Sequence, residues 1–276
     1  RPDSFSIMIG TPQGEDNAFY ELYQHALTAP NWLARMHKAS ETGIIATDEL
    51  EDARRSMSPN QYLQEFECDW GASQEGAIWQ NQIQEAAEEG RITNVPYDRA
   101  AEVHVAFDLG VSDATTLVFF QLCGQEIHWI DCFSDTGRGL DYYVKKVREK
   151  PYAYGKFYFP HDIKVRELST GTSRIETLRS LGINPFVMPR TPVDDRINAA
   201  RMAFDKMWFD ADKFHNCLRS LRAYKYAYDQ RKKMFSRTPA HDVHSHFADA
   251  FGLACQTFKM AKPNAVLQQR DRSWIV

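Results

Sequence analysis

No run in this 276-residue sequence reaches the roughly 18 consecutive apolar residues that a membrane-spanning helix needs. The first residues also lack a signal-peptide pattern, so no membrane partner is expected. Cysteine is scarce: Cys68, Cys123, Cys132, Cys217 and Cys255 are scattered, odd in number and form no C-x-x-C pair. Reduced thiols in a cytoplasmic protein explain that better than a disulfide framework. Positive charge is not in excess, with 33 Lys and Arg against 37 Asp and Glu, a net charge of −4. A nucleic acid would therefore have to be met by a local patch rather than by the whole surface. There is no G-x-x-x-x-G-K-[ST] phosphate loop and no internal repeat.

What is present is ordinary globular composition, 43% hydrophobic and 25% charged, enough for one large domain or two smaller ones. SFSIMIGTPQG (4–14) reads as a strand entering a Thr-Pro-x-Gly turn. A free-standing domain rarely starts on a buried strand, so a preceding segment of a larger protein is expected. Helices follow over 17–27 and 47–70, the second with an acidic first turn and a break at Ser58-Pro59. Residues 71–98 carry Gly, Ser and Pro around one short helix and read as a linker or hinge.

Beyond Ala101 the texture changes. EVHVAFDLG, TTLVFFQLC and QEIHWIDCFSD are three strands joined by turns too short for a crossover, hence an antiparallel meander. Helix 139–150, strand 156–162, helix 173–183, strand 184–189 and helix 194–209 come next, and a last helix begins near Val243. That order predicts an α/β fold, a mixed sheet flanked by helices. The expected division is 1–90, 91–260 and a flexible tail 261–276.

Three aspartates stand out. Asp108 ends the first strand of the meander, Asp162 ends the strand FYFP, and Asp249 sits among Ala248, Ala250 and Phe251 inside an apolar helix. Each of the first two can equally be a turn or cap residue. If the strands are neighbours and the last helix crosses their edge, the three carboxylates converge. Without a nearby cation they would repel one another, and hard oxygen ligands suit Mg²⁺ or Mn²⁺. Two ions about 3.5–4 Å apart would serve phosphodiester hydrolysis.

The stretch TPAHDVHSHFADAF raises a second possibility, a zinc site built from His241, His244 and His246. On a helix beginning near Val243 and capped by Asp242, His244 and His246 point roughly 200° apart. His241 precedes the helix, so the three histidines do not converge, whereas His246 and Asp249 share one face at i and i+3. The segment reads as a capped helix start that delivers Asp249.

FDLGVSDATT, FYFPHD and DVHSHFADAF together resemble the nuclease half of the large terminase subunits of tailed bacteriophages. The resemblance covers about residues 100–258 and extends upstream, since IGTPQGEDNAFYELY resembles the ATPase-coupling motif and YLQEFECDW the end of the ATPase domain. It implies an RNase H-like fold preceded by a partial P-loop ATPase and linker region. It also implies catalytic metals, Mg²⁺ or Mn²⁺ and two ions, on Asp108, Asp162 and Asp249. By the same resemblance His246 belongs in or beside the site, and Asp113 is a further metal-binding position, although a polar turn role in GVSDA fits it equally well. Thr11 and Gly14 match the nucleotide-sensing turn, which is also readable as a plain strand-to-loop turn. With no Lys-Ser/Thr in GTPQG, ATP is expected only in an intact motor.

Leu218–Arg237 interleaves basic and aromatic residues. Tyr224, Tyr226 and Tyr228 alternate with Lys225, Ala227 and Asp229, and Arg231, Lys232 and Lys233 follow. Period two predicts a strand or hairpin ribbon, and its charges are candidate DNA phosphate contacts, with Lys164 and Arg166 as weaker ones. A solvated hairpin with its tyrosines on the sheet is the plainer alternative. The implied partners are double-stranded DNA and, in the intact motor, a portal protein and a small terminase subunit. The implied setting is the cytoplasm of an infected host, docked on the procapsid portal. A monomeric fragment and a ring-shaped motor are both compatible. The competing readings are another RNase H-like nuclease, such as a junction resolvase or transposase core, and a non-catalytic DNA- or portal-binding module.

Overall fold

The computed structural model describes residues 4–12, 14, 18–57, 59–70, 76–110, 113–164, 173–229 and 234–260. The chain divides into two compact units, Arg1–Ala77 and Ile78–Val276. The division at residue 77 falls inside the expected linker 71–98, ahead of the domain end expected at 90. Ile78, Trp79, Ile83 and Ala86 are buried in the core of the second unit, so the short helix carrying the last two belongs there.

In the first unit the described residues form four helices, α1 (Ala18–Thr28), α2 (Ala39–Thr42), α3 (Thr47–Ser56) and α4 (Pro59–Phe66), and no strand. The helix expected over 47–70 is split as its proline requires, because Pro59 lacks the N–H to continue α3 but suits the first position of α4. Trp70 gathers the rings of Phe19, Tyr20 and Tyr23 at 5.7, 5.1 and 5.6 Å. The strand expected at SFSIMIG is not found: residues 4–10 are irregular, and Phe5, Ile7 and Ile9 are exposed. A period-two apolar pattern becomes a strand only where a sheet edge accepts it.

The second unit contains α5 (Gln80–Glu88), β1 (Ile92–Thr93), β2 (Val103–Asp108), β3 (Ala114–Cys123), β4 (Glu126–Thr136), α6 (Leu140–Glu149) and β5 (Tyr154–Phe159). It continues with α7 (Arg174–Ser180), β6 (Pro185–Val187), α8 (Val193–Arg201), β7 (Met207–Asp210), α9 (His215–Ala223), β8 (Tyr226–Asp229), β9 (Met234–Pro239) and α10 (Ser245–Met260). Seven strands form one sheet in the order β1-β7-β4-β3-β2-β5-β6. β2, β3 and β4 are the expected antiparallel meander, while β5 runs parallel to β2 and β6 parallel to β5. The run β4-β3-β2-β5-β6 with those directions is an RNase H-like sheet.

Alternation along the strands splits the core between two faces. Val103, Val105 and Phe107 of β2 enter one cluster with Tyr143, Val144 and Val147 of α6 and Leu178 of α7. Ala106 of β2, Val118 and Phe120 of β3 and Trp129 of β4 enter the other, beneath α5, α8, α9 and α10. α7 starts on a capping box: Ser173 Oγ accepts from Glu176 N–H and the Glu176 carboxylate accepts from Ser173 N–H.

Two expected elements are corrected. The helix over 194–209 stops at Arg201, and after a 3-10 turn its last residues are β7, which pairs in parallel with β4. Met207, Trp208, Phe209 and Asp210 are all buried, and four consecutive buried residues suit an interior strand better than one helix face. Likewise residues 218–223 of the expected ribbon belong to α9, and only β8 and β9 form the hairpin.

Candidate active site

Register brings the first two carboxylates together. β2 and β5 are adjacent and parallel, with Ala106 opposite Tyr158, so Asp108 and the Pro160–Asp162 segment leave the sheet at the same edge. A Cβ on Gly110 would lie 2.5 Å from the Asp113 carbonyl oxygen, so glycine is required there. Asp162 is exposed on a 3-10 turn, His161–Lys164.

The third carboxylate arrives on α10. Phe247, Ala248, Ala250, Phe251, Ala254 and Cys255 of this helix are buried, and Phe251 meets Trp129 at 4.6 Å and Trp79 at 5.4 Å between ring centroids. That packing fixes the helix across β2 and β3 and leaves His246, Asp249 and Leu253, at i, i+3 and i+7, along one stripe. The helix begins at Ser245, two residues later than expected. Asp242 Oδ1 accepts from His244 N–H at 2.9 Å, closing a turn before the helix rather than capping the helix itself.

Asp108, Asp162 and Asp249 line a single cleft of about 650 Å³, shared with Pro160, His161, Arg190 and Arg196. His246 Nδ1 lies 3.6 Å from Asp108 Oδ2, and that carboxylate above all raises the imidazole pKa, against the lowering effect of burial. Asp249 is pushed up to about 6, first by burial and then by the charge of Asp108, while Arg196 pulls it down. Arg196 Nη1 pairs with Asp249 Oδ1 at 3.1 Å. Burial foremost, and the charge of Asp249 next, raise the phenol of Tyr224, which puts the root of the β8–β9 hairpin near the acidic end.

Other expected site residues are dispersed. Asp113 is exposed at the end of the β2–β3 turn, and its charge also raises His246. Lys164 is exposed on the Asp162 turn, and Lys225 sits at the hairpin root, where its carbonyl accepts from Ala240 N–H at 2.8 Å. Arg166, Arg231, Lys232 and Lys233 lie outside the described residues, as does the tail 261–276. Thr11 and Gly14 are in the first unit. Gly14 has φ +82°, a left-handed backbone that glycine adopts readily, and Gln13 beside it lies outside the described residues. Of the three tyrosines, Tyr224 is buried on Trp79, while Tyr228 is exposed and meets Phe235.

The zinc reading does not survive. His241 and His246 approach each other, with ring centroids 5.9 Å apart, and His241 Nδ1 is within hydrogen-bond distance of Ser245 Oγ. Among the described residues no three His, Cys, Asp or Glu side chains converge closely enough to hold an ion. For the three aspartates the donor chemistry still suits a hard divalent cation, since all three offer carboxylate oxygens to one cleft. The cluster is spread, and Asp249 is engaged by Arg196. Sequence reasoning missed Arg196, Arg190 and His161 as cleft residues. No sequence pattern reveals Arg196, because its role depends on α8 packing against α10.

No family model matches the sequence. It is 26% identical over 264 residues to the terminase large subunit of Escherichia phage T5, covering 91% of this chain and 57% of that protein. The chain is similar to phage large terminase subunits. The fold agrees. The large terminase of a thermophilic bacteriophage superposes with a TM-score of 0.50 at 17% identity, over 90% of this chain and 62% of that one. The complex of that same terminase with ADP gives 0.51, over 91% and 61%. The chain thus spans a little over half the length of the large terminase subunits it matches.

Proposed function

We propose that the second unit is a divalent-metal-dependent endonuclease of a phage packaging terminase, which cuts concatemeric double-stranded DNA when packaging starts and ends. The observation that carries this reading is that Asp108, Asp162 and Asp249 line one cleft at the edge of an RNase H-like sheet. Likeness to a terminase large subunit supports the packaging context. Asp108, Asp162 and Asp249 would hold the metal, with Asp113 as an outlying acidic group. Mg²⁺ or Mn²⁺ held there, two ions in this reading, would supply Lewis acidity toward a phosphodiester.

The chain's own residues do the rest. His246 orients the Asp108 carboxylate and offers a group that can hold a proton beside it. Packing of α10 keeps Asp249 in the cleft. Lys164, Lys225 and the basic residues 166 and 231–233 would neutralise backbone phosphates without reading bases. The first unit is read as the end of an ATPase domain, with Thr11 and Gly14 in a turn that couples to nucleotide state. The residues here include no phosphate-loop lysine, so they are proposed to hydrolyse no ATP by themselves. Portal protein, small subunit, ring assembly and a cytoplasmic site on the procapsid belong to this proposal.

The test is conversion of supercoiled plasmid with Mg²⁺ or Mn²⁺. Wild-type protein is expected to nick and linearise it, and Asp108→Ala to lose at least about 100-fold in rate, the scale of removing a metal ligand or its support. Equal background from both proteins would refute the nuclease reading. Strong preference for four-way junctions over linear duplex would replace packaging with a junction-resolving role.

A further inference from the structure

The cleft contains a cation of its own. Arg196 lies on α8, and Gly252 of α10 lets the two helices come close: a Cβ on Gly252 would meet Arg196 Cβ at 3.2 Å. Gly252 is three residues after Asp249, on the same side of α10. The arginine stem therefore rests on the glycine, and its guanidinium reaches back one turn to Asp249. Trp79 Nε1–H donates to the Ile197 carbonyl at 3.3 Å, which pins α8 in this position.

The side chains of this pair are only 21% and 27% exposed, so their attraction is weakly screened. Yet the guanidinium is incompletely satisfied, since its Nε–H is buried and has no acceptor. An arginine is built for bidentate contact with phosphate or carboxylate, and here Nη1 meets Asp249 while Nε–H takes no part. It faces the same cleft that a scissile phosphate would enter.

We propose that Arg196 is a displaceable counter-ion: it occupies Asp249 in the metal-free protein, and an incoming DNA phosphate draws it away, freeing that carboxylate for a metal ion. The inference rests on the metal-dependent nuclease reading and adds its regulation. Metal binding and DNA binding become coupled, so the nuclease is not loaded before its substrate arrives. Arg196 is a positioning residue in this scheme.

Mn²⁺ is titrated calorimetrically into the whole chain, with and without a short duplex whose phosphorothioate linkages resist cleavage. Arg196→Gln and Arg196→Met remove the charge, the second keeping an apolar stem on Gly252, and Arg196→Lys retains it. Removing a unit charge about 5 Å from a dication changes affinity about tenfold even at the dielectric of water. Both neutral variants are expected to bind Mn²⁺ about tenfold more tightly than wild type without DNA. Arg196→Lys should stay near wild type. The duplex should tighten Mn²⁺ binding to wild type and add little in the neutral variants. A merely structural arginine predicts the opposite, weaker Mn²⁺ binding in the neutral variants. Unchanged or weaker binding in whichever neutral variant retains the wild-type circular dichroism and melting transition overturns the proposal, as does full DNA coupling without the charge. Plasmid cleavage is measured in parallel. Its absence in wild type would sink the nuclease reading, whereas intact cleavage with unaltered Mn²⁺ affinity in the variants would sink only the counter-ion.

Discussion

Asp249 is the residue on which sequence, packing and chemistry meet. Its folded carboxyl titrates at about 6, chiefly because it is buried, whereas an aspartate in an unfolded chain titrates near about 3.9. The folded protein therefore holds this proton more tightly than the unfolded chain does. The associated stability is fully present below about pH 4 and is lost as pH rises through about 6. Asp249→Asn cannot ionise, so the metal-free variant is expected to be more stable than wild type at about pH 8, by on the order of 1–3 kcal/mol. Near pH 4 the difference should vanish. Thermal melts at the two pH values check this, and a variant melting below wild type at the higher pH would mean that the Arg196 pair outweighs the cost of burial. His246 follows the same sign, since Asp108 raises its pKa and its contribution fades as pH rises past that value. At this scale the sequence was informative about the acids and silent about Arg196. A carboxylate flanked by Ala and Phe in a helix is anomalous on its own, while an arginine on a short polar helix is not.

Among the elements, α10 brings the third carboxylate to the cleft. Phe251 is fully buried and touches Trp79, Trp129 and Phe204, so its ring locks the helix over the sheet. Phe251→Ala should cost about 3–5 kcal/mol in denaturant unfolding, because rings on several elements cannot all collapse into the space left. A loss below about 1 kcal/mol would mean the helix is held elsewhere. The meander, α6 and α10 were legible in the sequence because their apolar periods are long and agree with their turns. β7 was not: MWFD follows a helical pattern without punctuation, and only its pairing with β4 and β1 makes it a strand. The four buried residues of β7 and the exposed apolar residues of 4–10 make the same point from opposite sides. A short apolar run takes its structure from the partner that is available.

For the whole molecule, both core clusters draw their residues from position 78 onward. Residues 78–276 are therefore expected to fold without the first unit and to melt in one cooperative transition with a native-like near-UV signal. A non-cooperative melt of that piece would show that its core needs the preceding helices. The first unit, with its Trp70 cluster and many exposed apolar side chains, is not expected to match that stability alone.

The sequence by itself determined the mixed α/β class, the strand meander, the three chemically notable aspartates and the geometric impossibility of a three-histidine cage. These follow from local periodicity and from the fixed pitch of a helix, which act within a few residues. Only the tertiary structure decided that β5 lies beside β2, that the unit boundary falls before Ile78, and that Arg196 faces Asp249 across Gly252. Those relations join residues dozens of positions apart, and long-range packing sets them where no local pattern can. The aspartate pointing out of TPAHDVHSHFADAF could be found in the sequence; the arginine that holds it could not.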